Sequence, residues 1–178
     1  VKLLQGNLGN AVVKISSVEE SERYIQAPAK VFHSQSEVKA AFAAGELNHD
    51  CVVVLRFQGP AANGMPELHG LAPIFEAIRS FGNKIALLTD GRLSGASGSI
   101  LSAIHLSPEA AANGPISFIQ DGDIITIDSK QGLISVQADF TGREPATAPT
   151  FQPGLGRELF SVFRQNVSAS EFGGNSLR

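Results

Sequence analysis

Two nearly continuous apolar runs stand out in the middle of the chain. Residues 51–57 and 84–90 are β-branched or aliphatic at most positions, which is typical of strands covered on both faces. Between them, residues 71–80 repeat apolar side chains at helical spacing; Phe81 extends this stripe and Gly82 is a stop signal. A strand, a helix and a second strand in this order predict two parallel neighbouring strands.

Weaker patterns flank this unit on both sides. Ser34 and Glu37 have the spacing of a capping box, which predicts a helix that ends near Gly45. Further helices are predicted from the Ser-Pro pair at residues 107–108 and over residues 157–167. Short apolar runs predict strands at residues 11–15, 31–33, 115–120, 123–128 and 133–137, the last two as a hairpin.

Parallel strands in the middle, antiparallel strands later and helices between them predict a mixed α/β fold. The polar residues 16–30 and the proline-containing residues 139–155 are interpreted as connections. We assign residues 1–155 to one domain, and residues 156–178 to a C-terminal helix and tail that pack on the same domain.

Composition excludes several classes of protein. Of the 178 residues, 43% are hydrophobic and 17% are charged, and the net charge is −3. This balance argues against disorder and against a field strong enough to gather nucleic acid or anionic lipid. No apolar run approaches the ~20 residues that span a bilayer. We therefore expect neither nucleic acid nor a membrane as a partner.

Two counts carry more information. Cys51 is the single cysteine, so an intrachain disulfide and a cysteine-based metal site within the chain are both excluded. Its place at the head of an apolar run favours a small buried hydrophobe. The chain begins with Val1 and its only methionine is Met65. We therefore expect a piece of a longer protein or a processed chain.

The densest chemical signal is the loop at residues 89–98, which follows the second apolar run. Its glycines allow backbone N–H groups to approach an anion, Arg92 offers a planar cation, and Ser94 and Ser97 offer hydroxyl groups. The spacing matches neither the dinucleotide fingerprint, nor a Walker A loop, nor a nucleophile elbow. A tight structural turn is the alternative explanation.

A second candidate loop, residues 58–69, follows the first apolar run. Glu67 could be a hard-cation ligand or an acid/base group, and His69 a proton carrier. Taken singly, each residue is more often a solvated surface group. Since both loops follow parallel strands, they should meet at the same edge of the sheet, where ligands of α/β folds bind.

The remaining candidates favour ordinary structural roles. His105 lies in an apolar setting and is more often a structural histidine than a catalyst. His33 and His49 are interpreted as surface residues, and residues 121–123 as a turn.

Four motifs in series resemble the C-terminal domain of the dihydroxy-acid dehydratase and phosphogluconate dehydratase family. They are GP…GMPEL at residues 59–68, LTDGRLSG at 88–95, IHLSPEA at 104–110 and DGDII at 121–125. The resemblance covers nearly the whole chain in order. Three details favour the phosphogluconate members of the family, namely NGMPELH at 63–69, GASG at 95–98 and GRELFS at 156–161.

The resemblance implies a swivelling β/β/α, barrel-like domain of a cytoplasmic homodimeric hydro-lyase. The full enzyme would convert 6-phospho-D-gluconate to 2-dehydro-3-deoxy-6-phospho-D-gluconate and water in the Entner–Doudoroff pathway. An iron–sulfur cluster would bind the leaving hydroxyl group as a Lewis acid. Resemblance to the phosphogluconate members favours a cluster of the 4Fe-4S type. Its cysteine ligands would lie in the N-terminal domain, which is absent from this chain.

The resemblance also assigns roles to single residues. Ser94 would be the base that takes the proton from C2, as an alkoxide stabilised by cations and N–H dipoles. Glu67 would help to hold a magnesium ion beside the cluster. Chemistry and placement suggest four substrate contacts: Asn63, Arg92, Gly95 and Ser97.

Two alternatives stay open at this point. The chain could be a dihydroxy-acid dehydratase domain of branched-chain amino-acid synthesis, which differs in substrate only. It could also be a non-catalytic module that binds a sugar acid or a phosphate.

Overall fold

A computed structural model of the chain describes residues 1–94, 99–150, 154 and 156–177. Within these residues, eight strands close into a barrel with the order β1-β2-β6-β5-β4-β3-β7-β8. The strands are β1 Lys2–Gly6, β2 Gly9–Val13, β3 Tyr24–Phe32, β4 Cys51–Leu55, β5 Ile85–Thr89, β6 Leu101–Ser107, β7 Ile124–Asp128 and β8 Leu133–Gln137. The helices are α1 Gln35–Ala43, α2 Pro60–Asn63, α3 Ala72–Ser80 and α4 Ser161–Asn166.

One half of the barrel is parallel and the other half closes it. Strands β3, β4, β5 and β6 pair in parallel. Strands β2 and β7 join the two edges of this group in antiparallel fashion, β1 and β8 extend them as antiparallel hairpins, and β1 meets β8 in parallel. This confirms the predicted mixed α/β class and the predicted parallel pairing of β4 with β5. The carboxyl ends of four parallel strands consequently lie at one mouth of the barrel.

The two central strands are buried on both faces, as their sequences predict. Alternate residues of β4 and β5 point into the barrel: Val52, Val54, Ala86 and Leu88. The other set packs under α1 and α3: Cys51, Val53, Leu55, Ile85 and Leu87. Each fully buried Val or Leu contributes roughly 1.5–3 kcal/mol, so this double layer anchors the strands whose ends carry the candidate loops.

Helix α1 is capped as predicted. The Ser34 hydroxyl accepts a hydrogen bond from Glu37 N at 3.2 Å, and the Glu37 carboxylate accepts one from His33 N at 2.7 Å. Gly45 follows the helix with φ of 77°, a left-handed conformation that favours glycine. The N-terminal cap thus holds the carboxyl end of β3 against α1.

Helix α3 differs from its prediction in the side that it buries. Phe75 and Ile78 are the residues of α3 that lie in the core, whereas Phe81 follows the helix and is exposed. The predicted stripe is therefore wrong at Phe81, because the helix ends at Ser80 before that side chain can turn inward.

Several other predicted elements are wrong. Residues 24–30 belong to β3, where small inward residues (Ala27 and Ala29) conceal the alternation of buried and exposed positions. Strands β1 and β6 were not predicted. The Ser-Pro pair at residues 107–108 ends β6 instead of starting an α-helix, and residues 115–118 form a 3₁₀ turn instead of a strand.

The C-terminal segment, residues 156–177, lies beside the mouth of the barrel. Its helix α4 is shorter than predicted and packs near α2, and the turn Ser170–Phe172 contacts β6. The division into a domain of residues 1–155 and a C-terminal helix and tail of residues 156–178 that pack on the same domain stays a prediction. No helix in the described ranges has the length and apolar character needed to cross a membrane.

Candidate active site

Asp90 organises the mouth of the barrel. It directly follows β5, its side chain is fully buried, and its carboxylate accepts hydrogen bonds from Phe57 N at 3.1 Å, Gln58 N at 2.8 Å and Ala110 N at 3.0 Å. One side chain thus ties together the segments that follow β4, β5 and β6. Burial raises the pKa of Asp90 to about 6 despite these three donors, which favour the ionised form. Asp90 is not among the candidate residues predicted from the sequence, although it directly follows a buried strand.

Glu109 fixes the loop that follows β4. Its buried carboxylate accepts hydrogen bonds from Ala61 N at 3.1 Å and Ala62 N at 3.2 Å. Gly59 leaves room for this carboxylate, because a Cβ atom at Gly59 would lie 2.3 Å from Glu109 Oε2. The sequence analysis placed Glu109 in a helix and missed this contact, since nothing in the local pattern relates Glu109 to a loop fifty residues earlier.

The two candidate loops meet at one edge, as predicted. Glu67 and Arg92 form a parallel bridge, and Leu68 N donates to Arg92 O at 3.3 Å. Arg92 Nε donates to Met65 O at 2.7 Å, and Arg92 Nη1 lies 3.5 Å from Glu67 Oε2. Glu67 Oε1 accepts a hydrogen bond from Ser94 N at 2.8 Å. The Glu67 carboxylate therefore orients the backbone of the half-buried Ser94 and lies beside the Arg92 cation.

A cavity of about 680 Å³ opens beside these loops. Its walls come from α2 and the residues that follow it, from β6, and from the C-terminal segment. The lining residues are Pro60, Asn63, Gly64, Met65, His105, Arg157, Phe160, Phe163, Arg164, Val167, Ser170, Gly173, Gly174 and Ser176. Of the predicted substrate contacts, Asn63 lies in this wall; its Oδ1 accepts from Arg157 Nη1 at 2.7 Å.

The other predicted contacts lie elsewhere. Arg92 and Ser94 are on the adjoining loop and do not line the cavity. Gly95 and Ser97 fall outside the described residues.

His105 reaches the cavity, although its apolar setting favoured a purely structural role. Its backbone has φ of 55°, and its N–H donates to Gly91 O at 2.9 Å, which joins β6 to the loop after β5. Burial and the Arg92 cation lower the pKa of the half-buried ring. The lowered pKa favours the neutral form of the His105 imidazole.

The remaining histidines divide between surface and interior. His49 and His69 are exposed. The surface interpretation of His33 is wrong, because its ring is half-buried and its Nε2 accepts from Arg56 Nε at 3.0 Å. Burial and the Arg56 cation lower the pKa of His33.

Comparison with known proteins gives the family. Residues 1–174 match the family described as "Dihydroxy-acid/6-phosphogluconate dehydratase C-terminal". The chain belongs to this dehydratase family. Phosphogluconate dehydratase from Zymomonas mobilis is 50% identical over 97% of this chain, and the enzyme of that name from Rhizobium meliloti is 49% identical over 99%. Dihydroxy-acid dehydratase from Pyrococcus furiosus is 43% identical over 78%. These matches confirm the resemblance inferred from the four motifs.

The chain spans about 30% of the length of the phosphogluconate dehydratases that it matches. This agrees with the family description, which names a C-terminal part. The barrel mouth described above lies within the part of these relatives that the chain matches.

The described residues of this dehydratase domain do not fit an iron–sulfur cluster. Among them, no group of three His, Cys, Asp or Glu side chains could hold a metal ion. Cys51 lies in the core between β4 and the helices, and burial raises the pKa of its thiol to about 11. Iron–sulfur clusters are held mainly by cysteine thiolates, and Cys51 begins β4, at the opposite end of that strand from the mouth, so it supplies no ligand there.

A magnesium site built from the described residues alone does not fit either. The Glu67 carboxylate is engaged by Ser94 N and by Arg92, and Mg²⁺ requires six oxygen ligands in near-octahedral geometry. Further ligands would have to come from outside the described residues. In the geometry observed here, Glu67 is a group that positions Ser94.

Proposed function

We propose that this chain is the C-terminal domain of a phosphogluconate dehydratase and supplies the base and part of the substrate pocket. The observation that carries the proposal is the extent of the matches. Relatives named phosphogluconate dehydratase are 46–50% identical over 97–99% of the chain, whereas the dihydroxy-acid dehydratase match covers 78%. The full enzyme removes water from 6-phospho-D-gluconate to give 2-dehydro-3-deoxy-6-phospho-D-gluconate, a step of the Entner–Doudoroff pathway.

Ser94 takes the proton from C2 in this proposal. The C2–H bond breaks as Ser94 takes the proton, its electrons form the C2–C3 double bond, and the C3–O bond breaks as the hydroxyl group leaves and takes up a proton to become water. The resulting enol becomes the ketone by gaining a proton at C3 and losing the proton of its C2 hydroxyl group. A serine hydroxyl is a weak base unless cations and dipoles stabilise its alkoxide. Two features support the role. Arg92 brings a guanidinium to the same loop, and Glu67 holds the Ser94 backbone in place.

The finer roles from the sequence analysis are part of the same proposal. Arg92, Asn63, Gly95 and Ser97 contact the substrate, and Glu67 would be a magnesium ligand only when other parts of the enzyme complete the site. We assign the 4Fe-4S cluster to the N-terminal domain that this chain lacks. The domain would be the swivelling β/β/α unit of a cytoplasmic homodimer, and its mouth would face the N-terminal domain.

The test compares two substrates with the full-length, cluster-containing enzyme. We expect turnover of 6-phosphogluconate to exceed that of 2,3-dihydroxy-3-methylbutanoate by at least about 100-fold in kcat/KM. The isolated 178-residue chain should turn over neither substrate. The opposite preference would assign the chain to dihydroxy-acid dehydratases. If neither substrate is turned over while the cluster is intact, the result would favour the alternative that the chain is a non-catalytic binding module.

A further inference from the structure

Two cationic side chains line the cavity beside the candidate loops, although the chain as a whole is acidic. Arg157 and Arg164 both line it, whereas no Asp or Glu of the described residues does. The net charge of the whole sequence is −3. Two guanidinium groups that line one recess contribute a positive potential there, which low-dielectric walls focus.

The two arginines are held together by the fold. Arg157 Nη1 and Nη2 donate to Asn63 Oδ1 at 2.7 Å and to Ala62 O at 3.1 Å, so its guanidinium is fixed against α2. Arg164 Nη2 donates to Arg157 O at 2.9 Å. Arg164 forms no ion pair with any described acidic side chain. Burial and the neighbouring Arg164 charge lower the pKa of Arg157, as expected for a half-buried cation beside a second cation.

The opposite wall of the cavity is also anchored. Ser170 Oγ donates to His105 O at 3.3 Å. The Glu171 carboxylate accepts from Asn10 Nδ2 and from Ser107 Oγ, both at 3.1 Å. These bonds fasten the tail to the barrel, so the cavity is formed before any ligand enters and needs little ordering on binding.

The cavity adjoins the loop that carries Ser94. Met65 lines the cavity, and its carbonyl oxygen accepts from Arg92 Nε. His105 lines it too, and its N–H donates to Gly91 O. A ligand whose charged end lies at the arginines can therefore extend along Met65 toward the loop that carries Ser94. In a phosphorylated sugar acid, the phosphate and the reacting carbons lie at opposite ends of the chain.

From this arrangement we propose that Arg157 and Arg164 form the phosphate-binding end of the substrate site. The pair binds the phosphate monoester of the sugar acid and gives the enzyme its preference for phosphorylated over unphosphorylated substrates. Guanidinium groups suit this task because their planar N–H donors match phosphate oxygens. The proposal rests on the proposed function for the identity of the substrate, and on the cavity alone for the binding of phosphate.

The decisive variant is Arg164→Gln in the full-length enzyme, with 6-phosphogluconate and unphosphorylated gluconate as paired substrates. We expect the KM for 6-phosphogluconate to rise at least about tenfold, while kcat/KM for gluconate changes less than about twofold. Arg157→Gln should act in the same direction, and Arg164→Lys should retain part of the selectivity because it keeps the charge. Arg79→Gln, a matched change on α3 where the arginine pairs with Glu76, should leave both substrates unaffected.

Two results would overturn the proposal. Equal losses with both substrates would mean that the arginines hold the carboxylate end or only support the fold. If the kinetics of both Arg157→Gln and Arg164→Gln are unchanged, the cavity is not part of the substrate site.

A binding measurement separates this proposal from the proposed function. Millimolar inorganic phosphate should raise the Tm of the wild-type enzyme and should not raise that of Arg164→Gln. This result would support the phosphate site even if the wild-type enzyme failed to dehydrate 6-phosphogluconate, in which case the proposed function alone would fall. An equal effect of phosphate on both proteins would overturn the site.

Discussion

The barrel mouth and the C-terminal segment, which together form the candidate site, are built differently. At the mouth, the buried carboxylates of Asp90 and Glu109 accept five backbone hydrogen bonds from segments far apart in sequence. In the C-terminal segment, apolar side chains are exposed, with 73% of Leu159, 63% of Val162 and 45% of Phe163 open to solvent.

Residues at the mouth are held by hydrogen bonds within the domain, whereas the apolar side chains of the C-terminal segment face solvent. The mouth fixes Ser94 and Arg92 through bonds internal to the domain, which is what a reacting group requires. The C-terminal segment closes the cavity but leaves an apolar surface uncovered. In the proposed enzyme, that surface is available to the substrate and to the proposed N-terminal domain.

Among the variants that test this contrast, Asp90→Ala should cause the largest loss in the free energy of unfolding. The change leaves three buried N–H groups without an acceptor, each at a cost of about 1–3 kcal/mol, so we expect a loss of about 3–5 kcal/mol in the free energy of unfolding. Urea denaturation measures it. Asp139→Ala, which removes an exposed carboxylate that accepts from Thr141 N, should cost less than about 1 kcal/mol. Similar losses in the two variants would show that Asp90 does not organise the mouth.

The pH dependence of stability should show the next largest effect. The folded pKa of Asp90 is about 6, above its ordinary value of 3.8, so between these values the folded chain binds a proton that the unfolded chain lacks. Stability from this group is therefore greatest below pH 4 and falls as pH rises to 6. The full difference is about 3 kcal/mol.

Two measurements check this expectation. The free energy of unfolding of the wild type should fall from pH 4 to pH 6 relative to that of Asp90→Asn, which lacks the titrating group. Carbon-13 NMR of the Asp90 carboxyl group should give a midpoint near 6. A midpoint near 4 would contradict the effect of burial described here.

The smallest change in the free energy of unfolding is expected for a substitution in the C-terminal segment. Phe163→Ser replaces a side chain that is nearly half exposed, so it should change the free energy of unfolding by less than about 1 kcal/mol. Phe75→Ser, on the buried side of α3, should cost about 3–5 kcal/mol. If the Phe163 variant lost as much as the Phe75 variant in urea denaturation, the segment would be part of the core and the contrast would disappear.

Sequence patterns predicted the centre of the fold better than its edges. The apolar runs that became β4 and β5 were recognisable because strands buried on both faces have no polar interruptions. β3 was missed over residues 24–30, where alanines and Pro28 conceal the alternation. β1 was missed because turn-forming residues at 6–10 dominate the pattern, although they form the tight connection between β1 and β2.

The candidate site was predictable only in part. Glu67 and Ser94 follow parallel strands, so their meeting at one edge could be inferred from topology alone. The supports of the site could not be inferred, because Asp90 and Glu109 act through backbone N–H groups, which have no sequence signature. The arginine cavity also depends on tertiary contacts, since the C-terminal segment brings Arg157 to Asn63 from 94 residues away along the chain.

Turnover of the Ser94→Ala variant in the full-length enzyme tests the central claim most directly. If Ser94 removes the C2 proton, kcat for 6-phosphogluconate should fall at least about 10³-fold, with iron content and Tm equal to those of the wild type. Ser80→Ala, which removes an exposed hydroxyl group at the end of α3, is the matched control and should retain full activity. Turnover of Ser94→Ala within about tenfold of the wild type would contradict the assignment of the base.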